Sequence, residues 1–366
     1  MKKLVSLLLA LAMLLGVMSF ASAEGDWRVA MITDSGDITD QSFNQTTYEA
    51  CKAFCEANGI DFNYYKPAAD STPDRVAMVD AAVDDGYNVI IMPGYLFAGT
   101  IVEVMEEYSD ITYIMLDVGA GDLGDTVLTS NVFSAVYQEE LSGYMAGYAA
   151  VKMGYKHLGF LGGMAVPAVI RFGFGYVQGA NAAAAEMGIA DQVTVEYVYG
   201  NQFYGDADIT AYMDNWYQNL GVEVVFACGG GIYTSAAEAA AKVGGKVIGV
   251  DTDQSAIIDR DYGAGMTVTS AMKGLGATVN TLLAETTAGN FANYGGQIVT
   301  MGLVDADPAK NYVQLPAETT QWSEAYTYEN YVELVGKMLA GEVVVSSAID
   351  ALPETVVTVN EYGNIK

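Results

Sequence analysis

Short apolar runs recur along this chain, each closed by Gly, Asp or Asn and followed by a stretch of helical periodicity. Residues 29–32 lead through a polar turn to a helix over 46–57. Residues 62–65, 88–93, 113–116 and 128–131 read as further strands. Helices begin at Thr72, as N-cap with Pro73 at the first helical position, and span 98–108 and 134–153. In the last of these, Gly143 and Gly147 share one face suited to close packing. Such alternation makes a parallel sheet with helices on both faces, because parallel neighbours need a crossover. After Gly154-Tyr155-Lys156 the pattern restarts, with strands at 157–161, 193–198, 224–228, 247–250 and 266–270. The fold class is α/β, as two Rossmann-like, doubly wound lobes joined by a hinge, with Gly154 a hinge residue. The expected boundaries are 24–154 plus about 271–300 for the N-terminal lobe, and 155–270 plus part of 301–366 for the C-terminal lobe. The pattern loosens after about residue 288. A last helix spans 328–339, and late strands fall at 343–345 and 356–359.

Residues 1–23 read as a signal peptide: Lys2 and Lys3, an apolar run to Phe20, then Ala21-Ser22-Ala23. The expected mature start is Glu24, and the expected location is periplasmic or extracellular, at the cell surface. With 45 Asp+Glu against 16 Lys+Arg, the net charge of −29 repels nucleic acid and anionic membrane, so neither is an expected partner. Cys51 and Cys55 stand four apart with Tyr48 on one helix face, which reads as a buried face without a disulfide. His157, the only histidine, has no acidic neighbour in sequence, and no Gly-x-Ser-x-Gly elbow accompanies it. No glycine-rich phosphate loop appears. Asp34, Asp37 and Asp40 lack the spacing of a calcium loop. Neither catalytic residues nor a metal or other cofactor are therefore expected.

Polar and aromatic residues cluster instead at strand carboxyl ends, where open α/β sheets bind ligands. They are Asp34, Ser35, Phe43, Asp117, Phe172, Asp251, Asp253 and Lys273. Asp117 and Asp251 can each accept two hydroxyl hydrogen bonds, Lys273 can donate, and Phe43 and Phe172 can sandwich a flat ring. Such a set suits a polyol joined to an aromatic base. Each residue has a plainer reading as well. An Asp after a strand caps a helix or sits in a turn, Phe172 packs its helix onto the sheet, and Lys273 is solvated. Asp37 and Asp40 read as turn and helix-start residues.

The chain resembles the basic membrane protein family of bacterial extracellular solute-binding proteins, whose characterised members are largely purine-nucleoside receptors of ABC transporters. The resemblance rests on Asp34-Ser35-Gly36-x-x-x-Asp40-Gln41-Ser42-Phe43-Asn44-Gln45, Gln138-Glu139-x-x-Ser142-Gly143-Tyr144-x-Ala146-Gly147 and Gly162-Gly163-Met164-x-x-Pro167. It continues through Phe172-x-x-Gly175-Tyr176-x-x-Gly179-Ala180, Gly249-Val250-Asp251-Thr252-Asp253-Gln254 and Thr269-Ser270-x-x-Lys273, over about residues 27–305. It implies a type I periplasmic-binding-protein fold that closes on a nucleoside-like ligand in an inter-lobe cleft. It also implies a monomer serving an ABC permease. Phe43 and Phe172 would stack on the base, Asp34 and Ser35 would lie beside the ligand, Asp117 would meet the base edge, and Asp251 and Lys273 would hold the ribose. Family members are commonly lipoproteins, whereas Ala21-Ser22-Ala23-Glu24 offers no cysteine for a lipid. Aromatics in Asn201-Gln202-Phe203-Tyr204-Gly205 and Ile232-Tyr233-Thr234 also bear on the ligand. A flavin-like or sugar ligand, or an exported nucleoside hydrolase, are the alternative readings.

Overall fold

The computed structural model describes residues 26–366, so the expected signal peptide over 1–23 and the start at Glu24 lie outside the described residues. In chain order the elements are β1 (Arg28–Ile32), α1 (Phe43–Asn58), β2 (Asp61–Tyr65), α2 (Thr72–Asp84), β3 (Val89–Pro93), α3 (Phe97–Val104), β4 (Thr112–Leu116) and β5 (Val132–Tyr137). They continue with α4 (Glu139–Lys152), β6 (His157–Gly162), α5 (Pro167–Met187), β7 (Thr194–Tyr199), α6 (Ala207–Asn215), β8 (Val224–Cys228), α7 (Tyr233–Ala241), β9 (Lys246–Asp251), α8 (Ser255–Tyr262) and β10 (Thr267–Lys273). Last come α9 (Leu275–Thr287), β11 (Gln297–Met301), β12 (Val313–Gln314), α10 (Tyr328–Leu339) and β13 (Thr358–Asn364).

The chain divides into two compact units. The first runs to Tyr137 and adds Gly274–Met301; the second is Gln138–Lys273 with Gly302–Lys366. The sequence pattern suggested a break near Gly154, with 138–154 in the first unit. The break falls before α4 instead, because α4 packs along α5 of the second unit through interlocked glycines. A Cβ at Gly143 or Gly147 would collide with the carbonyl oxygens of Phe172 and Tyr176, and one at Gly175 or Gly179 with those of Glu140 and Tyr144.

The first sheet has the order β11-β5-β4-β3-β1-β2 and is parallel throughout. The second is β12-β10-β9-β8-β6-β7-β13, in which only β12 runs antiparallel. Five successive strands thus follow one topology twice. Helices cover both faces, so the central strands read as unbroken apolar runs. All five residues of β3 and of β8 are buried. Among the described residues no helix is long and apolar enough to cross a membrane.

Some element boundaries differ from the sequence reading. The strand expected at 128–131 and the helix expected from 134 give way to β5 and a helix starting at Glu139. Val132-Phe133-Ser134-Ala135-Val136-Tyr137 is the better strand, since the buried Ser134 hydroxyl donates to the Val118 carbonyl and so fits an apolar sheet. Asn131 instead ties its loop to the carbonyls of Met105 and Ile111. Ser71, not Thr72, caps α2, its hydroxyl accepting from the Asp74 amide. Residues 343–345 form no strand, and the late strand starts at Thr358.

Candidate functional site

In the first unit, β1 ends at Ile32 and the chain turns through Asp34–Ser42 into α1. The Asp40 carboxylate accepts from the amides of Ser42, Asn44 and Gln45 at 2.9, 2.9 and 3.0 Å, taking up the free donors that open a helix. The buried Asn44 side chain then bridges the turn, donating to both Asp34 and Asp40 at 3.0 Å. Asp34 also accepts from the Gly36 amide at 2.7 Å. Burial of its carboxylate outweighs these donors and pushes its pKa up to about 6. Ser35 is exposed and Phe43, the first residue of α1, is half-buried. Asp117 follows β4 with φ of 65°, its amide donating to Ala135 O at 2.7 Å. Asp37 meets Thr39 and Lys66, so it is a turn residue, as Asp40 is a helix-start residue.

In the second unit, the ends of β9 and β10 bring charge together in a buried place. Asp251 closes β9 with φ of 66°. Lys273 closes β10, and its Nζ lies 3.9 Å from Asp251 Oδ1 and 3.3 Å from Glu139 Oε1. Glu139 is fully buried, and its other oxygen accepts from Arg171 Nε at 2.6 Å. Lys273 Nζ also stands 5.5 Å from the centre of the Phe172 ring. Phe172 itself is 1 % exposed and meets Phe226 of β8 edge-on at 5.9 Å. The packing contact is therefore real, and Lys273 is not solvated. Gln254 locks the strand ends, its Oε1 accepting from the Val250 amide while its own amide donates to Ser270. Asp253 serves the start of α8, accepting from the Ser255 amide, and also accepts from the Thr319 hydroxyl.

Glu139 and Arg171 escaped the sequence reading as site residues, whereas Phe203 was named there only within an aromatic-rich stretch. Glu139 stood in the quoted helix motif, where an acid in the first turn is ordinarily explained by the helix dipole. Phe203 is half-buried, and its ring lies on the glycines ending β6 and β8. A Cβ at Gly163 or Gly229 would sit 2.5 or 2.9 Å from its Cδ1. The Phe203 carbonyl accepts from the Gly231 amide at 2.9 Å, which pins the loop. His157 opens β6, at the opposite end of that strand from Gly162, and its Nε2 pairs with the buried Glu196 at 2.7 Å. Cys51 and Cys55 are buried on α1, in keeping with their reading as an inward face.

Comparison with known proteins bears on this arrangement. The family described as ABC transporter substrate-binding protein PnrA-like matches residues 27–345. Basic membrane protein B of Borreliella afzelii is 29 % identical over 285 residues, covering 76 % of this chain and 79 % of that protein. The ABC transporter nucleoside-binding protein BmpA of Lactococcus lactis is 28 % identical over 295 residues, with the same coverage of each. Among solved structures, a solute-binding protein of an ABC transporter system from Aeropyrum pernix aligns at a TM-score of 0.70. It is 22 % identical and covers 88 % of this chain and 94 % of that one, a likeness of fold. With the match spanning nearly all the described residues, this chain belongs to the Bmp family of PnrA-like ABC transporter substrate-binding proteins.

Proposed function

We propose that the chain works outside the cytoplasm as the receptor of an ABC importer, binding a nucleoside-like ligand and handing it to a permease. The ligand-binding residues proposed are Asp34, Ser35, Phe43 and Asp117 of the first unit and Phe172, Asp251 and Lys273 of the second. Phe43 stacks on the base. Phe172, the second proposed stacking ring, has Lys273 Nζ 5.5 Å from its centre, and Phe203 is a half-buried ring lying on Gly163 and Gly229. The nucleoside class follows the name of the Lactococcus relative. The observation in this chain that best supports it is the Lys273 ammonium 3.9 Å from Asp251 at adjoining strand ends. A donor and an acceptor so spaced suit a pair of neighbouring hydroxyls.

The action proposed is binding without covalent chemistry. His157 is engaged by Glu196 at the far end of β6, so no general base of that kind stands by Lys273. Thermal shift across nucleosides, nucleobases, flavins and sugars tests the ligand class. Stabilisation by nucleosides is expected, and stabilisation only by flavins or sugars would replace that class. Incubation with inosine, with and without calcium, tests the mode. Released base would make the chain a hydrolase and overturn the reading.

A further inference from the structure

The family match ends at residue 345, yet the remaining segment is built into the second unit. Gln178 clasps Ser346 with two hydrogen bonds, and Asn181 accepts from Val356 and Val357. β13 then runs parallel to β7, with Asn360 opposite Glu196. Glu196 is 3 % exposed and collects Asn360 Nδ2 on both oxygens, at 3.2 and 3.1 Å, and Tyr362 Oη at 2.7 Å. Beyond the strand, the Ile365 amide donates to Tyr199 O, and the Lys366 ammonium pairs with Asp206. Upstream, residues 343–355 carry no helix or strand and are largely exposed, with Val344 at 83 %.

Without β13, β7 would be the edge of its sheet, with a row of open backbone groups and a buried carboxylate missing two of its donor side chains. The groups that meet this edge, and Asp206 beyond it, are Asn360 and Tyr362, two residues apart, and the Lys366 ammonium four residues further on. We propose that the β7 edge is a strand-acceptor site and that residues 346–366 are its exchangeable donor, so that the same segment of a second copy can fill it in trans. Residues 343–355, exposed and without helix or strand, link α10 to β13, and the identical partner chemistry makes the second copy the fitting occupant.

The test uses full-length protein and a fluorescent synthetic peptide of residues 346–366. In the variant Asn360→Ala with Tyr362→Phe, the chain's own strand is weakened while Glu196 stays. The peptide should bind this variant roughly tenfold more tightly than the unaltered chain, and a peptide carrying the same two changes should lose that gain. Two differently tagged full-length chains, refolded together, should capture one another. Equal affinity for both chains, no binding, or no mutual capture would each overturn the proposal. Should the double variant fail to fold, Tyr362→Phe alone carries the same comparison.

Discussion

Asp117 and Asp251 close the fourth strand of their respective sheets in the same left-handed conformation, with φ of 65° and 66°. Left-handed backbone is costly for residues with a Cβ, and such outliers gather at binding sites. Asp117→Gly should therefore raise unfolding stability by up to about 1 kcal/mol, because glycine takes this conformation freely. The same change should weaken ligand binding, because the carboxylate is gone. Asp117→Ala should lose binding without the gain in stability. Urea denaturation and calorimetry read the two effects separately.

Breaking the buried cluster around Lys273 should be expensive. Glu139 is fully buried and neutralises Lys273, at 3.3 Å, together with Arg171, at 2.6 Å. Glu139→Ala leaves a nearly inaccessible ammonium without its nearer carboxylate. We expect a loss of about 3–5 kcal/mol in urea unfolding, the usual cost of removing one partner of a buried pair. A loss below 1 kcal/mol would show that the cluster relaxes into water.

Glu140, beside it, is 4 % exposed, and burial raises its pKa from 4.5 to about 7. Because the folded-state value lies above the unfolded one, the folded chain holds this proton more tightly. Stability should fall as pH rises from about 4.5 to about 7. Glu140→Gln should remove that slope and stabilise the fold at pH 8 by up to about 3 kcal/mol, at roughly 1.4 kcal/mol per pH unit. Asp34, raised to about 6, adds a slope of the same sign between about 4 and 6. Thermal melts of both chains from pH 4 to 8 check this.

The α4–α5 contact sets two effects against each other. Alanine gains about 1 kcal/mol over glycine inside a helix. At Gly147 its Cβ would collide with the Tyr176 carbonyl, a backbone atom that cannot swing aside. Overpacking of about 1–3 kcal/mol should win, so Gly147→Ala should destabilise. Gly336 in α10 has nothing near its Cβ position, so Gly336→Ala should stabilise. Opposite signs in paired urea titrations are the expected outcome.

Much of this architecture was legible because strands covered on both faces are plain apolar runs, as in β3 and β8. β5 was misplaced because Ser134 interrupts its run, and only the Val118 carbonyl explains why a serine is tolerated there. Topology alone put Asp117, Asp251 and Lys273 at strand ends. Ring direction was not legible. Phe172 lies on α5 facing Phe226, while the position of Phe203 depends on Gly163 and Gly229, distant in sequence. Glu139 was hidden because its partners, Arg171 and Lys273, arrive from other elements.

β11 completes the first sheet by pairing with β5, and it is reached only after the chain has traversed β6 to β10. The ribosome must therefore finish residues 138–273 before the first unit can obtain its last strand. An amino-terminal fragment ending at Tyr137 would lack both β11 and α9, which packs on α1. Contacts so far apart in sequence slow folding. Maturation of the first unit is thus tied to synthesis of the middle of the chain, and that unit stays unfinished until Met301 has emerged.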